Sequence, residues 1–135
     1  MANETAARPP INVLVVDDEE SQRNPLAAMI AAWGFVVEKA GDGQEALEKL
    51  TTFPANVIIT DLMMPRLDGA TLIRRVREEA ARAGRLAPLI FLTSAIDGPF
   101  AMDSSAPDAF VPKPFNLDYL EQLLDQYVSA LYRKQ

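Results

Sequence analysis

The sequence predicts an α/β fold, a parallel sheet of five strands with helices on both faces. Strand-like and helix-like segments alternate along nearly the whole chain, the pattern of a sheet built with crossover helices. The strand segments are continuous apolar runs, as strands buried on both faces require. Polar residues collect at the carboxyl ends of those runs, where sites in open parallel sheets lie.

The opening "MANETAARPP", residues 1–10, is polar and ends in two prolines, so it reads as a disordered tail ahead of a domain spanning 11–135. "INVLVV" is the first strand and ends at Asp17 and Asp18. "SQRNPLAAMIAAWG" follows with Leu26, Met29, Ile30 and Trp33 at helical spacing and Gly34 as its stop. Pro25 leaves two possibilities: the helix begins near Asn24 with the proline at its first position, or it starts earlier and is kinked. "FVVEKA" is the second strand. In "GDGQEALEKL" Asp42 precedes Glu45 by three residues, an acidic variant of the capping box that opens a second helix. "NVIIT" is the third strand and ends at Asp61. The third helix runs from Gly69, with Leu72, Ile73 and Val76 on one face, to Gly84. "PLIFLTS" is the fourth strand, ending at Thr93 and Ser94, and "AFV" is a short fifth strand before "PKPF". The last helix carries Leu117, Leu120, Leu124, Val128 and Leu131 at helical spacing, with Asn116 as its N-cap.

At 135 residues the chain is the size of one domain. Its apolar share of 49% and charged share of 24% are those of a soluble globular protein, and no apolar run is long enough for a membrane span. With no cysteine and no signal peptide, the expected location is cytoplasmic. Thiolate chemistry and disulfides are excluded. The net charge of -6 argues against nucleic-acid binding by this chain alone. Histidine is also absent, so any histidine in the chemistry comes from a partner.

In such a sheet Asp17, Asp18, Asp61, Thr93 and Lys113 converge, because each sits at the carboxyl end of a strand. Carboxylates about 5 Å apart repel by roughly 3 kcal/mol at an effective dielectric near 20. Lys113 offsets one charge, and a hard divalent ion such as Mg²⁺ would offset two through oxygen ligands. A carboxylate so placed can attack phosphorus in line and form an aspartyl phosphate. Thr93 and Lys113 would then contact the phosphoryl oxygens.

"VVDDEE", "TDLMMPRLDG", "FLTSA" and "FVPKPF", in this order, resemble the receiver domain of two-component response regulators, from Ile11 to the C-terminus. The resemblance implies a flavodoxin-like sheet in the order 2-1-3-4-5, Asp61 as phosphoacceptor, and Asp17 and Asp18 as the acidic pair around Mg²⁺. It further implies the Met63 backbone carbonyl as a metal ligand, Thr93 and Phe110 as switch residues, Lys113 as the phosphoryl counter-ion, and a cis Lys113–Pro114 bond. The implied donor is a histidine kinase or a histidine phosphotransfer protein, the output an unspecified protein target, and the chain is a signalling phosphoacceptor rather than a turnover enzyme. Met64 reads as packing, and Pro65 and Gly69 as shapers of the loop.

One segment departs from the pattern. Between Thr93 and Lys113, Gly98, Pro99 and Pro107 interrupt the stretch where the family places a fourth helix, so that helix is expected to be short or irregular. The expected output is protein contact, either by a stand-alone single-domain regulator resembling the chemotaxis regulators or by a receiver excised from a longer protein. Two rival functions share the fold: a constitutive binding adaptor, and a Mg²⁺-dependent phosphohydrolase. The hydrolase needs an acid or base beside Asp61, where the sequence puts Met63.

Overall fold

The computed structural model describes residues 10–64, 66–94 and 106–133. Five strands, β1 (Asn12–Val16), β2 (Val36–Ala40), β3 (Val57–Asp61), β4 (Leu89–Ser94) and β5 (Ala109–Pro112), pair in parallel in the order β2-β1-β3-β4-β5. Four helices are present among the described residues: α1 (Glu20–Ala32), α2 (Gly43–Leu50), α3 (Gly69–Ala83) and α4 (Leu117–Arg133). The expected flavodoxin-like order is therefore observed. The tail residues 1–9, Pro65, and the stretch 95–105 where an irregular helix was expected lie outside the described residues.

Side chains alternate across a strand, which explains why the strands are apolar throughout. In β1, Val13 and Val15 join Leu26 and Ile30 of α1 and Leu120 and Leu124 of α4 in one core. Leu14 and Val16 face the other way and join Ala46 of α2 and Leu72, Ile73 and Val76 of α3. Ile58 and Ile59 of β3 divide between the same two cores. Each fully buried side chain of this size contributes about 1.5–3 kcal/mol, so both faces must be covered. Met64 is buried in the second core, the packing role its position suggests.

α1 begins at Glu20, five residues ahead of Pro25, which rules out a start near Asn24. The N–H groups of Gln22 and Arg23 both donate to the Glu19 carbonyl, so the first turn closes before the proline is reached. Gly34 follows α1 at φ +105°, a conformation that side-chain-bearing residues rarely adopt.

At α2 the Asp42 side chain accepts the Glu45 N–H at 2.8 Å. The Glu45 side chain in turn accepts the N–H of Gly41 rather than that of Asp42, at 2.6 Å, one residue further back than a standard capping box. Asp42 also pairs with Arg66 from the β3–α3 loop, and both contacts lower its pKa, the Glu45 N–H foremost. Asp42→Ala should therefore cost about 1–2 kcal/mol in a urea titration at neutral pH. A lowered pKa contributes stability above the unfolded value and loses it as pH falls. The difference between variant and wild type should accordingly shrink below the ordinary value of 3.8.

α3 starts against β3 itself. The Gly69 N–H donates to the Leu62 carbonyl at 2.9 Å, and a Cβ at Gly69 would lie 2.5 Å from the Asp61 carbonyl oxygen and 3.0 Å from Leu62 Cα. Both are backbone atoms and cannot swing aside. Gly69→Ala is expected to destabilise by about 2–3 kcal/mol, at the upper part of the overpacking range, measured by denaturant unfolding. An Ala variant as stable as wild type would show that this approach is not constrained. At α4 the Tyr119 N–H donates to Asn116 Oδ1 at 3.1 Å, the predicted cap.

Candidate functional site

The sheet register assembles the site. Val16 pairs with Thr60, Asp61 with Thr93, and Thr93 with Val111. One step beyond β1 is Asp17, and two steps beyond Val111 is Lys113. The order reverses between β1 and β3, with β2 on one side and β4 and β5 on the other. Such a switch point opens a crevice at the strand ends. Residues more than 90 positions apart in sequence meet there.

Carboxylate oxygens of Asp17, Asp18 and Asp61 lie within 4.8 Å of one another. Asp17 and Asp61 are buried and Asp18 is exposed, so the cluster opens to solvent on the Asp18 side. Asp17 is fixed from two sides: its Oδ1 accepts the Glu19 N–H at 2.9 Å, and its carbonyl accepts from the Arg23 guanidinium at 2.9 Å. The Lys113 ammonium reaches Asp17 Oδ2 at 3.1 Å and Asp61 Oδ2 at 3.5 Å. The Lys113–Pro114 peptide is cis. Burial pushes the Asp61 carboxyl above its ordinary pKa and Asp17 adds to the rise, while Lys113 and the Leu62 N–H pull back without cancelling it.

The donor set fits a hard divalent cation. Three carboxylates stand against one ammonium, leaving a formal charge of about -2, and the chain has no histidine or cysteine to supply a softer ligand. Asp17, Asp18 and Asp61 could hold such an ion.

The other expected site residues are distributed around this cluster. Thr93 is buried beside Asp61, and its hydroxyl donates to the Thr60 carbonyl at 3.4 Å. Met63 lies two residues past β3 and is 63% exposed. Phe110 is a half-buried residue of β5 in register with Leu92, and its carbonyl accepts from Tyr119 Oη at 3.4 Å. It is one row removed from the Asp61–Thr93 row.

Sequence reasoning missed Gln22. Its Oε1 accepts from the Lys113 ammonium at 2.6 Å, the shortest of the lysine's contacts. A polar residue one turn into a helix carries no pattern of its own, and only the fold reveals which side chain it faces. The Arg66–Asp42 pair was equally hidden, because it joins two loops.

The model of the "Response regulator receiver domain" matches residues 13–125. A transcriptional regulatory protein of Mycobacterium tuberculosis, TrcR, is 39% identical over 114 residues, covering 82% of this chain and 42% of that protein. This chain thus spans just under half the length of the curated relatives it matches. Among solved structures, the Vibrio cholerae chemotaxis protein CheY4 is 29% identical with a TM-score of 0.77, over 87% of this chain and 98% of that one. The receiver domain of the Saccharomyces cerevisiae regulator Ssk1, co-crystallised with the histidine phosphotransfer signaling protein Ypd1, shares the fold at 24% identity and a TM-score of 0.73, over 84% of this chain and 85% of that one. From the length of the family match, the sheet order and the acidic cluster at its switch point, this chain belongs to the receiver domains of two-component response regulators, a signalling family rather than a classic enzyme family.

Proposed function

We propose that Asp61 is the phosphoacceptor of a two-component relay and that its phosphorylation changes which protein this domain, residues 11–135, binds in the cytoplasm. The observation that carries this reading is the buried Asp61 carboxylate, within 4.8 Å of two others and 3.5 Å from an ammonium. An oxygen of Asp61 forms the new bond to phosphorus as the bond to the donor nitrogen breaks, and the donor imidazole leaves and takes up a proton. The donor histidine belongs to a kinase or a histidine phosphotransfer protein, since this chain has none. The downstream target is a protein.

Asp17, Asp18, Asp61 and the Met63 carbonyl would hold Mg²⁺, which supplies charge neutralisation for the phosphoryl oxygens when bound. Lys113, already paired with Asp17 and Asp61, would neutralise one of those oxygens. The Thr93 hydroxyl leaves the Thr60 carbonyl for the phosphoryl group, a cheap exchange because its present bond is long at 3.4 Å. Phe110, on the strand next to Thr93, repacks in response.

Intact-mass spectrometry after incubation with a small acyl phosphate tests the reading. One phosphoryl group is expected per chain with Mg²⁺, and uptake at least about 100-fold slower with a chelator, since several kcal/mol of charge stabilisation is withdrawn. Equal uptake in both would remove the metal from the account.

A further inference from the structure

We propose that Gln22 is a positioning residue that draws the Lys113 ammonium toward α1 in the resting protein, leaving Asp61 the most distant of its three partners, and so limits the rate of phosphoryl capture; this rests on the phosphoacceptor reading of Asp61. A lysine ammonium has three donors and accepts nothing. Here its partners are Gln22 Oε1 at 2.6 Å, Asp17 Oδ2 at 3.1 Å and Asp61 Oδ2 at 3.5 Å. The shortest contact is to the neutral amide and the longest to the reacting carboxylate. Lys113 is drawn toward α1.

Gln22 is itself held. Its Nε2 donates to Glu19 Oε1 at 2.8 Å, and Glu19 is the N-cap residue of α1. Only one amide orientation satisfies both neighbours: the oxygen must face the ammonium, which can only donate, and the nitrogen must face the carboxylate, which can only accept. The result is a chain of contacts from Glu19 through Gln22 to Lys113 that fixes the ammonium before any phosphoryl group arrives.

A phosphoryl group on Asp61 brings new anionic oxygens, and Lys113 must turn toward them. Its two hydrogen bonds, to Gln22 and Asp17, compete with that turn, and one of them is given up. Asp17 retains its hold through charge, so the bond to the Gln22 amide is the one released. Breaking it raises the barrier to capture, because the interaction is present in the ground state and absent in the transition state.

Two substitutions move the brace in opposite directions. Gln22→Leu keeps the bulk and helical preference but cannot accept, and is expected to speed phosphoryl uptake from acetyl phosphate about 3- to 10-fold, a part of what a hydrogen bond to a charged group is worth. Gln22→Glu binds the ammonium through charge and is expected to slow uptake at least about 3-fold. A direct readout is hydrogen exchange of the Lys113 ammonium by NMR in metal-free protein, faster than wild type in the Leu variant and slower in the Glu variant. Rates shifting the same way in both variants, or ammonium exchange unchanged in both, would overturn the proposal. Asp61→Asn, assayed alongside, separates the two hypotheses: if it takes up phosphoryl at the wild-type rate, the phosphoacceptor reading has failed rather than the role of Gln22.

Discussion

Asp61→Asn is expected to raise the melting temperature of the metal-free protein at neutral pH while reducing phosphoryl uptake to background. The first half follows from the raised pKa of Asp61, caused chiefly by burial and reinforced by Asp17. A folded-state pKa above the unfolded one means that the folded protein binds the proton more tightly. The associated stability is complete below the ordinary value of 3.8 and is lost as pH rises through the folded value. At pH 7 the ionised carboxylate is a liability, and Asn keeps its shape without its charge. Lys113 loses one charged partner but retains Asp17 and Gln22. The gain should disappear below pH 4, where both proteins are neutral at this position. Mg²⁺ should then stabilise wild type more than the variant, because an ion that binds only the folded state contributes in proportion to its affinity. A variant less stable than wild type at neutral pH would contradict this account of the site's electrostatics.

Lys113→Met is expected to do the reverse. The ammonium lies between Asp17 and Asp61, with side chains only 12%, 4% and 11% exposed, and its removal leaves buried carboxylates unpaired. Breaking such a pair costs about 3 kcal/mol, at the low end of the buried range because the Asp18 side of the cluster is open to water. The loss should be largest at neutral pH and above and shrink toward pH 4 as Asp61, whose pKa burial raises, takes up a proton, and Mg²⁺ should restore part of it. Denaturant titrations across that range decide the matter. A loss independent of pH would mean that Lys113 contributes through packing on Phe115, whose ring centroid is 5.9 Å from the ammonium, instead of through charge.

What could be read from the sequence was what repeats or punctuates. The apolar runs located every strand, since strands covered on both faces leave little room for polar residues. Asp42, Asn116, Gly34 and Gly84 marked helix ends through capping chemistry that is local in sequence. The convergence of Asp17, Asp61 and Lys113 was legible because parallel order sends every strand's carboxyl end to the same edge. The start of α1 was not, since Pro25 is a strong local signal that tertiary packing of Leu26, Ala27 and Ile30 overrides. Gln22 and Arg66 were invisible for another reason: each acts on a residue from a different element, and neither type at its position is unusual. The family assignment does not favour the constitutive adaptor or the phosphohydrolase.

The most direct test of the central claim is to locate the phosphoryl group. After incubation with acetyl phosphate and Mg²⁺, borohydride reduces an aspartyl phosphate to homoserine, which tandem mass spectrometry places in the sequence. Homoserine at position 61 alone is the predicted result. Homoserine at Asp17 or Asp18, or at no position despite a mass gain, would contradict the assignment of Asp61.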